Sequence, residues 1–518
     1  MKLFADLPDD DGLPGRERRL AMAAVMLGTT MAVLDGSIVN VALPTIAHAL
    51  RVDAGDAIWV ANAYLLATAM LLVSFASLAD IVGFRRLYTA GLLVFTLASL
   101  GCALSGSLGM LAAMRLLQGV GGAAMFSIGP AIYRTVFPTR LLGSALGINA
   151  LTVAAATAAG PAIGGAMLAA LGWEWLFAVN VPLGIVAVAL ALRAIPQRPE
   201  DGRHPAATGG AQAGHAAARS TRFDLAGAIL SATAMGMLLL AADACAQLTL
   251  PGNRSHAGAY GLTALVATLL FVWRQRRAAR PLLPLDIFAS GRFSMAVLTS
   301  FCSFVGQGIT FIALPFLFQG ALGYSALESA LLFTPWPLAI VLAAPYAGRL
   351  ADRHSPAVLS SIGLAVLTVG VALLAGLPAH ATAVNICWRG FVCGLGFGFF
   401  QSPNNREMLG SVARTRTGAA SGVLGIARTF GQSLGAAVVA LVLAIVAYRM
   451  GMAGAGATGA GAAGMSVAGP GTAVSGAASV ALRDAAAMHA ALWIAAAATL
   501  LATLLSVSRI PRKAPKIV

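Results

Sequence analysis

The chain has 518 residues, 58% of them hydrophobic and only 10% charged, with a mean hydropathy of +0.83. Soluble domains carry about 25% charged residues, so a soluble globular fold is excluded and an all-α polytopic membrane protein is expected. The formal net charge of +15 would point to nucleic acid in a soluble protein; here loop arginines account for it, and no nucleic-acid partner is expected.

Residues 1–19 read as a cytoplasmic tail, acidic at Asp9, Asp10 and Asp11, then basic at Arg16, Arg18 and Arg19, with no cleavable signal expected. Apolar runs long enough to cross a bilayer follow at 20–43, 57–77, 87–106, 108–131, 142–165 and 173–193, a first bundle over 20–195. The polar, Pro/Gly-rich segment 196–222 reads as a cytoplasmic linker. Residues 223–280 hold two further spans, 224–245 and 258–274. A second six-helix bundle over 281–508 takes in 293–318, 326–347, 357–377, 383–403, 417–446 and 486–507, followed by a tail at 509–518. Inside it, the Gly/Ala/Ser/Thr/Met tract 450–482 reads as a flexible external loop, with a re-entrant or poorly packed helix as the alternative.

Fourteen spans put both termini on one side. Of the 34 Lys and Arg, 27 fall in loops on that side, and only Arg51, Arg254, Arg449 and Arg483 on the other. The positive-inside rule then places both termini in the cytoplasm of a multi-pass protein of the inner or plasma membrane.

The two bundles repeat. LADIVGFRR (78–86) follows span two, and RLADRHS (349–355) follows span ten. Asp80 lies 35 residues before Arg115, and Asp352 lies 37 before Arg389. Arg115 opens RLLQGVGGAAMFSIGP and Arg389 opens RGFVCGLGFGFFQSP; GPAIGG (160–165) and GQSLGAA (431–437) follow in turn. Parallel repeats with a site between them near the midplane are a transporter architecture. Spans seven and eight have no counterpart and read as an insertion.

These residues carry a resemblance to the major facilitator superfamily, specifically its fourteen-helix drug:proton antiporters. LDGSIVNVALP (34–44) resembles the first-helix signature, RLLQGVGGA (115–123) the fourth-helix arginine motif and GPAIGG the fifth-helix antiporter motif. GWEWLFAVNVPLG (172–184) and RPLLPLDIF (280–288) also match, and residues 401–435 most resemble exporters of methyl viologen and quaternary ammonium compounds. The resemblance implies two six-helix bundles in pseudo-twofold repeat, plus the two inserted helices. It also implies proton-coupled export of amphipathic, cationic compounds by a monomer. The loop motif departs from the family pattern: Ala76 stands for a glycine, and Ile81 and Phe84 for arginines. Asp80, Gly83, Arg85 and Arg86 remain, so a weaker cytoplasmic latch is expected, with Asp352 and Arg353 as its repeat.

Charges in hydrocarbon cost at least about 2.5–3.5 kcal/mol, so deep ones are functional candidates. Four stand out: Asp35, Arg115, Arg389 and Arg428. Counting about 1.5 Å per residue puts Asp35 and Arg115 at one level, roughly 11–12 Å from the outer end of their spans. The resemblance implies that both helices line a central cavity. Asp35 is the expected proton site and cation contact, with Arg115 favouring its ionised form; a static structural pair is the alternative. Arg389 has no matching acid, so it is expected to bond helix carbonyls or shape the cavity. Arg428, Asn40 and Gln118 are further cavity or helix-positioning candidates. Asn404, Asn405 and Glu407 suggest a gate or loop anchor rather than cargo contact. Gly160, Gly164 and Gly165 allow close helix approach and Pro161 bends its helix; the resemblance implies that this bend controls proton leakage.

Five cysteines without a CxxC, and seven scattered histidines, suggest neither disulfide, metal nor cofactor. A P-loop needs a lysine, and the only lysines are Lys2, Lys513 and Lys516, so an ATP-driven pump is disfavoured. No catalytic cluster suggests an enzyme. An antiporter or facilitator for another metabolite, such as an anionic natural product, remains the alternative function.

Overall fold

A computed structural model describes residues 12–196, 223–246, 253–278, 281–283, 285–351, 353–378, 380–412, 417–458 and 471–510. Its helices are α1 (Gly15–Leu50), α2 (Ala54–Ala57), α3 (Trp59–Val82), α4 (Phe84–Ala103), α5 (Leu108–Val136), α6 (Thr139–Ala170), α7 (Trp175–Ala178) and α8 (Asn180–Ala194) in the first half. The inserted pair is α9 (Leu225–Ala246) and α10 (Asn253–Arg277). The second half holds α11 (Gly291–Phe316), α12 (Ala326–Phe333), α13 (Pro335–Leu350), α14 (Pro356–Ala375), α15 (Ala383–Gly410), α16 (Thr417–Thr458) and α17 (Gly471–Val507). Short pairs combine into single spans (α2 with α3, α7 with α8, α12 with α13), and the described residues contain 14 helical stretches long and apolar enough to cross a membrane.

Local chemistry sets the ends. The Ser107, Ser290 and Thr382 side chains accept the backbone N–H three residues on and start α5, α11 and α15. Ser325 and Glu328 form a reciprocal capping box on α12. Gly83, at φ 95°, makes the turn between α3 and α4 in a conformation side chains disfavour. The 450–482 tract departs from the loop expectation. Residues 450–458 prolong α16 and 471–482 begin α17. Alanine, the best helix former, outweighs the glycines there; residues 459–470 lie outside the described set, as does the 197–222 linker.

The repeat is visible in the packing. α3 and α4 both pack on α5, as α13 and α14 pack on α15. α1 packs on α6 and α8, as α11 packs on α16 and α17; α4 meets α8 as α14 meets α17. α9 lies against α3 and α16, and α10 packs on α9.

The halves share a core at one end. One apolar core runs through the face opposite the termini, from Ile38, Leu43 and Ile46 to Phe304, Ile312 and Phe318. Near the face that carries the termini, each half has its own core: one around Ala24, Tyr88 and Ile132, the other around Phe293, Met408 and Val423. A space between the halves is left on that side.

Candidate functional site

That space is a cavity of about 510 Å³, within the usual range for small-molecule sites. Its wall comes from both halves, with Asn40 of α1, Tyr64 of α3, Arg115 and Phe126 of α5, and Thr157 of α6 facing Gln307 and Phe311 of α11, Gln401 and Asn405 of α15, and Arg428 and Gln432 of α16. It extends from the joined core toward the terminal face, where Asn405 lies close to the end of α15.

Behind this wall sits Asp35, 2% exposed, in an ion pair with Arg115, 1% exposed. Arg115 Nη1 donates to Asp35 Oδ2. Gln118 Nε2 and Asn180 Nδ2 donate to Oδ1 at 2.8 and 3.2 Å. Arg115 also gives Nε to the Val60 carbonyl at 2.9 Å and Nη1 to Gln118 Oε1 at 2.6 Å. Its guanidinium lies 4.5 Å from the centre of the Tyr64 ring. Buried charges survive only when paired and hydrogen-bonded, and α1, α3, α5 and α8 each supply part of what this pair needs. The pairing of Asp35 with Arg115 matches the depth count.

The carboxylate itself is not on the cavity wall. Arg115 and Tyr64 stand between it and the space, so the expectation of direct contact between Asp35 and a cationic cargo has no geometric support in this conformation. Arg115, the partner of Asp35, does line the cavity.

The remaining candidates divide. Asn40 lines the cavity and Gln118 holds Asp35. Arg389 donates to the Leu373 carbonyl of α14 and stays away from the wall, the carbonyl-bonding arrangement expected where the second half lacks an acid. Arg428 lines the cavity, 5.5 Å from the centre of the Phe126 ring across in the first half. Gly160 and Gly164 let α6 close on Ser37 and Ile38 of α1; Gly165 lets it meet Ala330 and Leu327 of α12. Pro161 lies inside α6. Around the expected latch, Arg85 donates to the Leu192 carbonyl of α8; Arg86 and Arg353 are exposed, and Asp80 is in the last turn of α3. Asp352 lies outside the described residues.

Asn404 and Glu407 do anchor: Arg509 Nη1, just past α17, donates to Asn404 Oδ1 at 2.9 Å and Glu407 Oε2 at 3.1 Å. Burial holds Arg509 below the usual guanidinium range, and Glu407 opposes that shift. Asn405 instead faces the cavity. Sequence reasoning passed over Asn180 and the wall glutamines Gln307, Gln401 and Gln432. Their signal was a neutral amide inside an apolar run, the same signal that marked Asn40 and Gln118.

The Major Facilitator Superfamily model matches residues 25–436. The uncharacterized transporter YebQ of Escherichia coli (strain K12) is 45% identical over 84% of this chain and 91% of its own. The riboflavin transporter RibZ of Clostridioides difficile (strain 630) is 30% identical over 82% and 87%. The tetracenomycin C resistance and export protein of Streptomyces glaucescens is 31% identical over 84% and 77%. Among solved structures, an inward-facing bacterial homologue of the human lysosomal transporter Spinster superposes with TM-score 0.63 at 18% identity, covering 96% of this chain and 99% of that one. It shares the fold. The chain belongs to the major facilitator superfamily, and its described residues hold fourteen helical stretches able to cross a membrane.

Proposed function

We propose that the protein is a proton-coupled exporter of amphipathic small molecules, working by alternating access from the cytoplasmic membrane of the cell. The observation that carries this reading is the sealed Asp35–Arg115 pair at the back of a cavity between two repeated halves. With the termini cytoplasmic, as the charge bias supports, the cavity extends toward the cytoplasm and the far side is closed. Cargo enters there and packs on Tyr64, Phe126 and Phe311. After reorientation a proton reaches Asp35 and neutralises it. Arg115 then loses its partner, and the wall it forms changes charge balance. Coupling therefore runs through Arg115 rather than by cargo and proton sharing one carboxylate. The Streptomyces glaucescens relative is a resistance and export protein by name.

The test is Asp35→Asn in everted vesicles, alongside a susceptibility panel of viologens, quaternary ammoniums, dyes and anions in an efflux-deficient host. Loss of cargo-driven proton release is expected; release at the wild-type level would sink the coupling role. The cationic preference implied by the resemblance gains no direct contact from Asp35, which is off the wall. The second reading, an anionic product as cargo, is favoured by the position of Arg428.

A further inference from the structure

The cavity wall contains two charged side chains, Arg115 and Arg428, and no carboxylate, among the described residues. Arg115 is neutralised by Asp35 behind it. Arg428 lies against the face of Phe126, with Tyr64 on the same wall, and among the described residues no acid pairs with its guanidinium. The other polar groups of the wall are neutral amides and hydroxyls, including Asn40, Gln307, Gln401 and Gln432. The wall thus carries one uncompensated positive charge, in a low-dielectric enclosure that strengthens its field.

We propose that Arg428 is an anion-recognition point and that the cargo is an amphipathic acid: an aromatic or polycyclic body bearing a carboxylate, sulfonate or phenolate. This rests on the exporter reading and names its substrate class. A guanidinium presents a planar fork that fits such an oxyanion with two hydrogen bonds. The ring face of Phe126 gives Arg428 partial compensation while the cavity is empty. An anion replaces that weak contact with a full charge pair, and its apolar body fits the aromatic wall of Phe311 and Phe304. Nearby amides serve as donors or acceptors for further polar substituents. A lipophilic cation meets the opposite situation: a like charge, and no acid to receive it.

Arg428 projects from α16 of the second half, and Phe126 from α5 of the first. An anion seated on Arg428 therefore contacts a site shared by both halves, where its presence is felt when they rock.

The experiment uses two xanthene dyes of opposite charge, fluorescein and rhodamine 123. Equilibrium binding is measured with the full-length protein in phosphatidylcholine nanodiscs at neutral pH, with empty discs subtracted. Fluorescein is expected to bind more tightly. Arg428→Gln is expected to lower the fluorescein-to-rhodamine affinity ratio by about tenfold or more, and Arg428→Lys to retain part of it. Melting temperatures of both variants report whether they fold. Should Arg428→Gln fail to fold, the wild-type ratio and Arg428→Lys still decide. Tighter or equal binding of rhodamine 123 to the wild type, no fluorescein binding, or a ratio unmoved by Arg428→Gln would overturn the proposal. Binding is read without a proton gradient. A charge preference without gradient-driven movement would sink the exporter reading alone.

Discussion

Ser433 of α16 donates to Asn62 of α3 across 3.0 Å, a hydrogen bond between residues 371 positions apart that ties one half to the other. Both residues are buried. A second tie is made by Gln319, in the irregular turn after α11, whose Nε2 donates to the Val41 carbonyl at 2.9 Å. Together with the shared core they close the face opposite the termini.

Ser433→Ala leaves the Asn62 amide without this donor. A lost neutral bond of this kind costs about 1 kcal/mol, or about a fivefold change in the balance between closed and open forms. Distances between spin labels placed across that face are expected to show a larger open fraction. An unchanged distribution would mean that the bond does not help hold the closed form.

Gly165→Ala acts on the same closure by crowding. A Cβ at Gly165 would sit 2.5 Å from Ala330 Cβ and 3.1 Å from Leu327 Cα. Overpacking of this kind costs about 1–3 kcal/mol, and α6 and α12 relieve it by separating. The variant is expected to increase labelling of introduced cysteines on that face; wild-type labelling rates would count against the close contact.

Arg115→Lys keeps the charge and loses the fork. One ammonium cannot reproduce the planar geometry that serves Asp35, Gln118 and the Val60 carbonyl together. Each bond to a charged group is worth about 1.5–3 kcal/mol, so a lower melting temperature is expected, together with fewer protons released per cargo moved. Arg389→Gln is the contrast. Arg389 has a carbonyl partner and, among the described residues, no acid, so some stability is lost while the proton-to-cargo ratio stays at the wild-type value. Equal damage to the ratio from both variants would remove the distinction between the halves.

Asp224, at the start of α9, accepts from Arg274 at 2.6 Å, Gln275 at 3.2 Å and the Gly227 backbone at 2.9 Å. Burial raises its pKa, but the Gly227, Arg274 and Gln275 bonds outweigh burial and hold it below the usual carboxylate value. A depressed carboxylate stabilises the fold above its unfolded pKa, about 3.9, and that contribution is lost as pH falls through the folded value. Between pH 5 and 8 the α9–α10 pair is therefore expected to hold equally well. Asp224→Asn should cost about 1 kcal/mol or less, because Arg274 is partly exposed, and should speed amide exchange in α9 and α10. Wild-type protection factors, corrected for the intrinsic pH dependence of amide exchange, that vary across pH 5–8 would contradict this assignment.

Much of this was readable from residue order. The fourteen spans, the repeat and the meeting of Asp35 with Arg115 follow from apolar length and from counting depth along helices. The count gives a level in the membrane, but not which way a side chain points around its helix. The resemblance put both helices at the cavity and made Asp35 a cation contact; the wall positions are held by Arg115 and Tyr64 instead. Asn180 escaped because it bonds Asp35 from a helix 145 residues further along, a meeting that no local pattern marks. In the 450–482 tract glycine count was weighed above alanine propensity, and 450–458 and 471–482 are helical. Which face is closed depends on long-range packing between halves, for which local sequence carries little signal.

The joined core has a consequence for how the resting orientation responds to its surroundings. The contacts that shut the face opposite the termini are hydrocarbon packing among residues such as Ile38, Phe304 and Phe318, and hydrogen bonds between uncharged groups at Asn62, Ser433 and Gln319. None of these named contacts is screened by dissolved ions, whereas apolar association weakens on cooling. The resting preference is therefore governed more by temperature than by ionic strength, and cold, rather than salt, is the natural means of loosening that seal.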